Sequence, residues 1–428
     1  MRRGRLKSGC IDVISLKMKL RFSVCGCCVT ALLVALLMAS GCRKSERSSS
    51  DFQKAVGKLQ VKEISELRLK AEQGKAMAQY DLGHKYAMGQ SVPIDFVEAA
   101  KWLRKAAEQD YAPAQYEIGM LVINGHVLSN GNGEAAEWIR KAAEQRNPNA
   151  EFVLGLLYGK GQFVSKDEAE SGRWILRAAE HGQVDAQHAA GNMFSQGLKG
   201  VAKDYVEAAK WHHKAADQGN AGSQGELGSF YAAGIGVSKN AEEAVKWFRK
   251  SAEQGNALAQ FNLGAMYARG EGVTQDATMA AMWHRKAADQ GLALAQFALG
   301  AIYGVGQGVE KNDAKAVEWM RKAAVQGYFL AQLSLGVRYA DGNGVPRDLV
   351  EGFTWLSLGA QGLVVARQRT SQSEMKAEDL KRAQAASRPF EDAALQLFER
   401  LKTELTPEQM AEAQKRITAF AEKTNGQP

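Results

Sequence analysis

The residues of this 428-residue chain with the most chemistry in them are five cysteines, seven histidines and a recurring set of neighbouring carboxylates. Cys25, Cys27 and Cys28 have the close spacing of a soft-metal site. They lie, however, inside residues 22–38, a stretch without a single charge. With Cys10 and Cys42 they account for every cysteine, so nothing after residue 42 can form a disulfide or supply a thiol nucleophile. The histidines are His84, His126, His181, His188, His212, His213 and His284. No His-Glu-x-x-His pair, phosphate-binding loop or nucleophile elbow accompanies them. His212 and His284 each follow a tryptophan, where equivalent positions hold Leu103, Ile139 and Phe248, and this predicts packed helix residues. Glu242-Glu243 and its counterparts fall where a helix is expected to start, and need no catalytic role. These residues predict no enzyme, no cofactor and no metal site.

What must position them is a repeat. The tryptophans are Trp102, Trp138, Trp174, Trp211, Trp247, Trp283, Trp319 and Trp355, separated by 36 residues at every step but one, which is 37. A fixed period of this size marks stacked supersecondary units. In residues 256–291 the apolar positions Ala259, Phe261, Leu263, Met266 and Tyr267 fit one helix, broken at Gly270. Asp276 then opens a second helix carrying Ala280, Trp283, Ala287 and Ala288. Two helices of this length cannot bury their own apolar faces and must stack on neighbouring copies.

The repeated columns have mechanical meanings. Gly83, Gly119, Gly155, Gly191, Gly228, Gly264, Gly300 and Gly336 sit in mid-helix. Glycine there costs about 0.5–1 kcal/mol relative to alanine, and close helix–helix approach is the simplest compensation. Gly89, Gly125, Gly161, Gly197, Gly234, Gly270, Gly306 and Gly342 fit helix stops. Seven residues before the tryptophan stand Asp95, Asp167, Asp204, Asn240, Asp276, Asn312 and Asp348, the side chains that cap a first turn. Glu98, Glu134, Glu170, Glu207, Glu243 and Glu351 follow three residues later, where a capping box would place them. Basic residues after the tryptophan, such as Arg249-Lys250, predict an exposed ridge whose stems cover apolar surface.

The composite pattern is Ala-Gln-x-x-Leu-Gly-x-x-Tyr, then Gly-x-Gly-Val, then Ala-x-x-Trp-x-x-Lys-Ala-Ala-x-Gln-Gly. It resembles the Sel-one-like repeat family, longer relatives of tetratricopeptide repeats, over residues 75–363. The resemblance implies an all-α fold: a right-handed α-solenoid of about eight helix-turn-helix repeats with capping helices and a concave binding surface. Copy two departs most, with Val122 for the tyrosine and a loose turn expected at residues 130–133.

Before the repeats, residues 1–21 are basic and residues 22–38 apolar, and Ala39-Ser40-Gly41-Cys42 follows. Residues 1–41 therefore predict a secretory signal, with Met18 as an alternative start. Cys42 after Ser-Gly resembles a bacterial lipoprotein box and is the expected lipid attachment. An uncleaved anchor is the alternative, and either places the repeats in the cell envelope. Residues 42–57 are expected to be a polar tether, 58–74 an N-terminal capping helix, and 364–428 C-terminal capping helices in which Thr406-Pro407-Glu408-Gln409 starts the last. The formal charge of +8 is misleading: residues 1–47 hold ten basic and two acidic residues, which leaves 45 of each in the remainder. A nucleic-acid partner is not expected.

Recognition of another protein or peptide is the expected function, as a scaffold or adaptor. By analogy with tetratricopeptide folds the first helices line the concave face. Two columns are then the candidate contacts. One is mostly aromatic: Tyr80, Tyr116, Phe152, His188, Phe261 and Phe297, with inter-repeat packing as the competing role. The other varies: Met88, Asn124, Lys160, Gln196, Arg269 and Asp341, with plain solvent exposure as the competitor. The resemblance leaves two alternatives, a binder of cell-wall glycan or exopolysaccharide and a penicillin-interacting hydrolase.

Overall fold

The computed structural model describes residues 45–128, 133–371 and 377–425. The expected signal, Cys42 and most of the expected loose turn of copy two lie outside the described residues. Two compact units are distinguished, residues 1–95 and residues 96–428.

The first unit contains α1 (Ser45–Glu72) and α2 (Ala76–Met88), which pack together. Gln79 Nε2 donates to the carbonyl of Ala71 at 3.0 Å, and Arg68 bonds the Tyr86 hydroxyl. α1 begins at Ser45, so it runs through most of the segment expected to be a tether. Residues 45–51 are polar but contain no glycine or proline, and a helix nucleated downstream propagates through them.

The second unit is an all-α solenoid. Its helices are α3 (Phe96–Ala107), α4 (Ala112–Ile123), α5 (Glu134–Glu144), α6 (Pro148–Lys160), α7 (Glu168–Glu180) and α8 (Val184–Gln196). There follow α9 (Tyr205–Asp217), α10 (Ala221–Ala233), α11 (Ala241–Glu253), α12 (Ala257–Arg269), α13 (Ala277–Asp289) and α14 (Ala293–Val305). α15 (Asp313–Val325), α16 (Phe329–Asp341), α17 (Leu349–Ser371), α18 (Ala377–Glu404) and α19 (Pro407–Asn425) complete it. Within this unit the even-numbered helices α4 to α16 are the first halves of repeats, and the odd-numbered α3 to α17 the second halves. From α3 to α18 each packs on the next.

The helices start and stop where their residues dictate. Asp167, Asp204, Asn240, Asp276, Asn312 and Asp348 accept from backbone N–H groups of the following first turn. The glutamates three residues on serve other partners: Glu207 and Glu243 pair with Lys210 and Lys246, and Glu351 accepts from Trp355 Nε1. First helices have a cap of their own, with Asn147, Asn220 and Asn256 side chains accepting from Ala150, Ser223 and Ala259. Gly272 in the turn has a φ of +67°, and a Cβ there would lie 2.2 Å from the Ala241 carbonyl of the preceding repeat.

Close approach does explain the mid-helix glycines of this unit. A Cβ on Gly155 would lie 2.8 Å from Ile175, one on Gly228 2.5 Å from Phe248, and one on Gly300 2.7 Å from Met320. In each case the neighbour is the residue just after the tryptophan. Immediately before these glycines, Ile118, Leu154, Leu227, Leu263, Leu299 and Leu335 are fully buried. Each such side chain contributes about 1.5–3 kcal/mol relative to exposure. A lysine or arginine three residues after the tryptophan lies over its ring in seven repeats, from Lys105 at 4.5 Å to Lys322 at 3.9 Å.

Polar rungs tie each first helix to the second helix of its own repeat and to the end of the preceding one. Buried Gln224 donates to the Ala216 carbonyl at 3.1 Å and accepts from Gln254 Nε2 at 2.7 Å. Gln115–Gln145, Gln187–Gln218, Gln260–Gln290 and Gln296–Gln326 repeat the arrangement. In copy three the rung is Glu151–His181 instead, at 2.6 Å, with Arg177 at 3.2 Å from the other carboxylate oxygen. A second tie runs from Arg140 to the Tyr158 hydroxyl at 2.7 Å and from Arg249 to Tyr267 at 2.9 Å. Where Phe194 replaces the tyrosine, Leu176 replaces the arginine, and both are partly buried in one cluster.

The C-terminal helices cap the stack. Leu401, Leu405 and Ala413 bury against Leu333, Phe353 and Leu356. Ile417 joins Trp355 and Leu358. Thr406 N–H donates to Gln409 Oε1 at 2.9 Å and Gln409 N–H to Thr406 Oγ1 at 3.3 Å, the capping box expected there. α17 continues without interruption past residue 363, so the last repeat and the cap share one helix. Its span Leu349–Gln368 is long and apolar enough to cross a membrane by composition, but it is packed by α16, α18 and α19.

Candidate protein-docking face

The first helices present a continuous face of the second unit. α10 directly approaches the first helices on either side of it, α8 and α12, as helices on the inside of a curved stack must. On most first helices positions 2 and 13 are exposed and positions 6 and 9 half-buried, and these form the lining of this face.

The variable column lies on it exposed: Asn124, Lys160, Gln196, Arg269 and Asp341. Arg269 Nε donates to Glu271 at 2.8 Å. Leu258 and Leu294 are 50% and 38% exposed on the same face. The aromatic column serves packing as well. Tyr116 joins the cluster of Ile139, Ala150 and Leu154, and Phe152 joins that of Ile175 and Ala186. Phe261 packs against His284 at 5.1 Å, and Phe297 against Tyr328 at 5.3 Å. All four keep one side half-exposed. In the first unit Tyr80 is likewise half-buried and stacks on His84 at 5.8 Å, while Met88 is 59% exposed.

The histidines divide as their column predicts. His212 and His284 are buried against Gly191 and Gly264. Burial lowers the pKa of His212 to about 3, with His188 and His213 adding to the effect. Burial lowers that of His284 to about 4, and Arg269 contributes. One arrangement was not visible in the sequence. Ser223 Oγ lies 2.9 Å from His188 Nδ1 and 3.2 Å from His212 Nδ1, and Asn192 Nδ2 lies 3.1 Å from His188 Nε2. The amide can only donate, so His188 Nε2 accepts and its Nδ1–H donates to Ser223. The serine O–H then donates to His212, whose Nε2–H is buried without a partner. Ser223 has no exposed surface, so this serine–histidine pair offers no nucleophile to a substrate. Among the described residues no group of three metal-ligating side chains converges.

The repeat pattern matches a known family model. The Sel1 repeat model matches residues 76–111, 112–147, 148–183, 184–220, 221–256, 257–292, 293–328 and 330–362. The chain belongs to the Sel1 repeat family. Sel1 repeat proteins are generally protein-interaction scaffolds, and the fold is typically non-catalytic. The chain is 35% identical to a Sel1 repeat protein from Oxalobacter formigenes, with 72% of this chain and 90% of that one covered and a TM-score of 0.54. It is 29% identical to a protective antigen of uropathogenic Escherichia coli with an SLR fold, covering 84% and 94%, at a TM-score of 0.47. An immunity protein from Pseudomonas aeruginosa is 22% identical over 50% of this chain and 81% of its own, at a TM-score of 0.32. Comparison with curated proteins returns no match.

Proposed function

We propose that this Sel1 repeat protein is a non-enzymatic scaffold or adaptor tethered in the bacterial envelope through Cys42, binding a protein or peptide along its first-helix face. The observation that supports the binding reading is a row of side chains that packing does not use. Leu258 and Leu294 stay exposed beside the half-exposed Phe261 and Phe297, and Lys160, Gln196, Arg269 and Asp341 vary at one fixed position. An exposed apolar row with a polar rim is the composition of a protein-binding patch. The tether rests on the sequence before residue 43, where a basic segment, an apolar segment and Ser-Gly-Cys follow one another.

Affinity capture tests the face. The tagged full chain and its Lys160→Glu, Arg269→Glu, Asp341→Lys variant are cross-linked reversibly in envelope extract and purified. A defined protein recovered with the parent and lost with the variant supports the reading. Equal recovery from both moves the site off this face, and no specific protein from either overturns the scaffold reading. For the tether, Cys42→Ser is expected to shift the protein from the detergent phase to the aqueous phase on phase separation. An unchanged distribution contradicts lipid attachment.

A further inference from the structure

Copies four and five meet through a set of histidines. Ser223 of α10 stands where the other copies of this unit have alanine, as at Ala150 and Ala259. Facing it are His188 of α8, in the aromatic column, and His212 of α9, in the column after the tryptophan. Ser223 Oγ lies 2.9 Å from His188 Nδ1 and 3.2 Å from His212 Nδ1, so one hydroxyl holds both rings to the next copy. Gly222 makes room for His188, since a Cβ there would lie 3.0 Å from its ring. The neighbouring tie differs too. Where Arg140, Arg249 and Arg285 bond the tyrosine of the following copy, His213 bonds Tyr231 at 3.1 Å and stands edge-on to Trp247 at 5.7 Å.

The hydrogen bonds of this cluster run in one direction, from the Asn192 amide through His188 and Ser223 to His212 Nδ1. A proton added to His188 Nε2 faces the Asn192 N–H. A proton added to His212 Nδ1 removes the acceptor of the serine hydroxyl. It also leaves a cation with no exposed surface, whose Nε2–H is already without a partner. The surroundings compensate little. On α8, Asp185 acts on His188 and only partly offsets its burial. His188 and His213 act on His212 in the same sense as burial. α7 packs Ile175, Ala178 and Ala179 against this part of α8 and α9, and α10 adds Phe230 and Tyr231. Glu226, a carboxylate of α10, is not among the groups that shift either ring. Arginine keeps its charge and its bond throughout the acid range, and histidine does not.

We propose that the junction of copies four and five is an acid-opened joint: protonation of His188 and His212 breaks their bonds to Ser223 and releases α10 from α8 and α9, while the junctions of copies five to eight stay closed. Opening divides the first-helix face into two parts. The joint needs no docked partner and stands whether or not that face is the docking surface. The sign follows from the closed state, which holds His212 at about 3, below the ordinary 6.5 that it regains when the joint opens. The closed form is therefore favoured above pH 6.5 and loses ground as pH falls, by roughly twentyfold between pH 7 and pH 5 from His212 alone.

Hydrogen exchange of the full chain, resolved by peptide and corrected for intrinsic rates, tests this at pH 7 and pH 5. α10 has 13 residues, and a helix of that length stripped of its packing is marginal, so opening registers as exchange. Protection of α10 should fall roughly twentyfold or more at pH 5, with α14 to α16 changing much less. The combined variant His188→Phe, His212→Phe, Ser223→Ala restores the residue types of the other copies and should abolish the local fall. If it does not fold, His212→Phe alone should reduce the fall, and His284→Phe in copy six should leave it in place. Protection of α10 that is indifferent to pH, that falls equally in α14 to α16, or that falls as far in the His212 variants as in the parent would overturn the joint.

Discussion

Phe420 of α19 stands edge-on over Trp355, ring centroids 5.6 Å apart, where a lysine or arginine covers the tryptophan of each earlier repeat. The residue three after Trp355 is Leu358, which turns into the core shared with Ile417. The last second helix therefore exchanges a solvated cation for an aromatic side chain of the capping helix. Arg416 fixes the exchange by bonding Glu351 at 2.8 Å, the same carboxylate that accepts from Trp355 Nε1.

Phe420→Ala should accordingly uncover Trp355 and loosen the cap. The ring is half-buried, so the expected loss is about 1–3 kcal/mol, at the low end for aromatic truncation. Urea unfolding monitored by tryptophan fluorescence checks this. An unchanged midpoint would mean that α19 does not stabilise the stack.

Two glycines on α10 should respond in opposite ways to the same change. Gly228→Ala would push a methyl to 2.5 Å from the Phe248 ring and should cost about 1–3 kcal/mol. Gly225→Ala has its nearest neighbour at 3.3 Å and should be neutral or stabilising by up to about 1 kcal/mol, as alanine usually is within a helix. Thermal unfolding of the two variants decides it, and a similar loss from both would contradict the packing account.

The Glu151–His181 rung invites a replacement by the rung that its neighbours use. His181→Ala leaves a fully buried carboxylate with only Arg177 at 3.2 Å, and should cost about 1–3 kcal/mol. Glu151→Gln combined with His181→Gln recreates Gln–Gln and should lie within about 1 kcal/mol of the parent. Denaturation curves of both provide the comparison. A double variant as unstable as the single would show that the rung is not interchangeable.

Acid should weaken the fold through His212 and His284. Their folded pKa values, about 3 and about 4, are below the ordinary value of 6.5, so the unfolded chain binds protons first. Stability is then complete above pH 6.5 and declines as pH falls toward those values, by about 1.36 kcal/mol per pH unit per histidine. Between pH 6.5 and 5 that is about 2 kcal/mol from each, and His188 acts with the same sign. Replacing both with phenylalanine, the residue of that column on Gly228, should flatten this window in urea titrations at the two pH values. An equally steep decline would place the acid sensitivity elsewhere.

Much of this architecture was legible because the residues that define it act locally. Tryptophan spacing set the period, Asp204 and Asn240 cap the next turn, and the glycine before the turn stops the helix. Pairings across the stack were not legible. Gln224 and Gln254 are thirty residues apart, and each reads as an ordinary polar helix residue until the helix pair brings them together. The same holds for Arg249 and Tyr267, and for the joint change to Leu176 and Phe194. For the candidate face, periodicity separated the variable column, which is exposed. It could not apportion Phe152 or Phe261 between packing and contact, because each does both.

The most direct test of the docking face is site-specific photo-cross-linking in living cells that produce the full chain. A photoreactive amino acid replaces Leu258 on the first-helix face or, as the counterpart, Lys246 on the opposite, second-helix face, both exposed. A discrete adduct with one partner protein from position 258 and none from position 246 is the predicted result. Adducts from position 246 alone would contradict it.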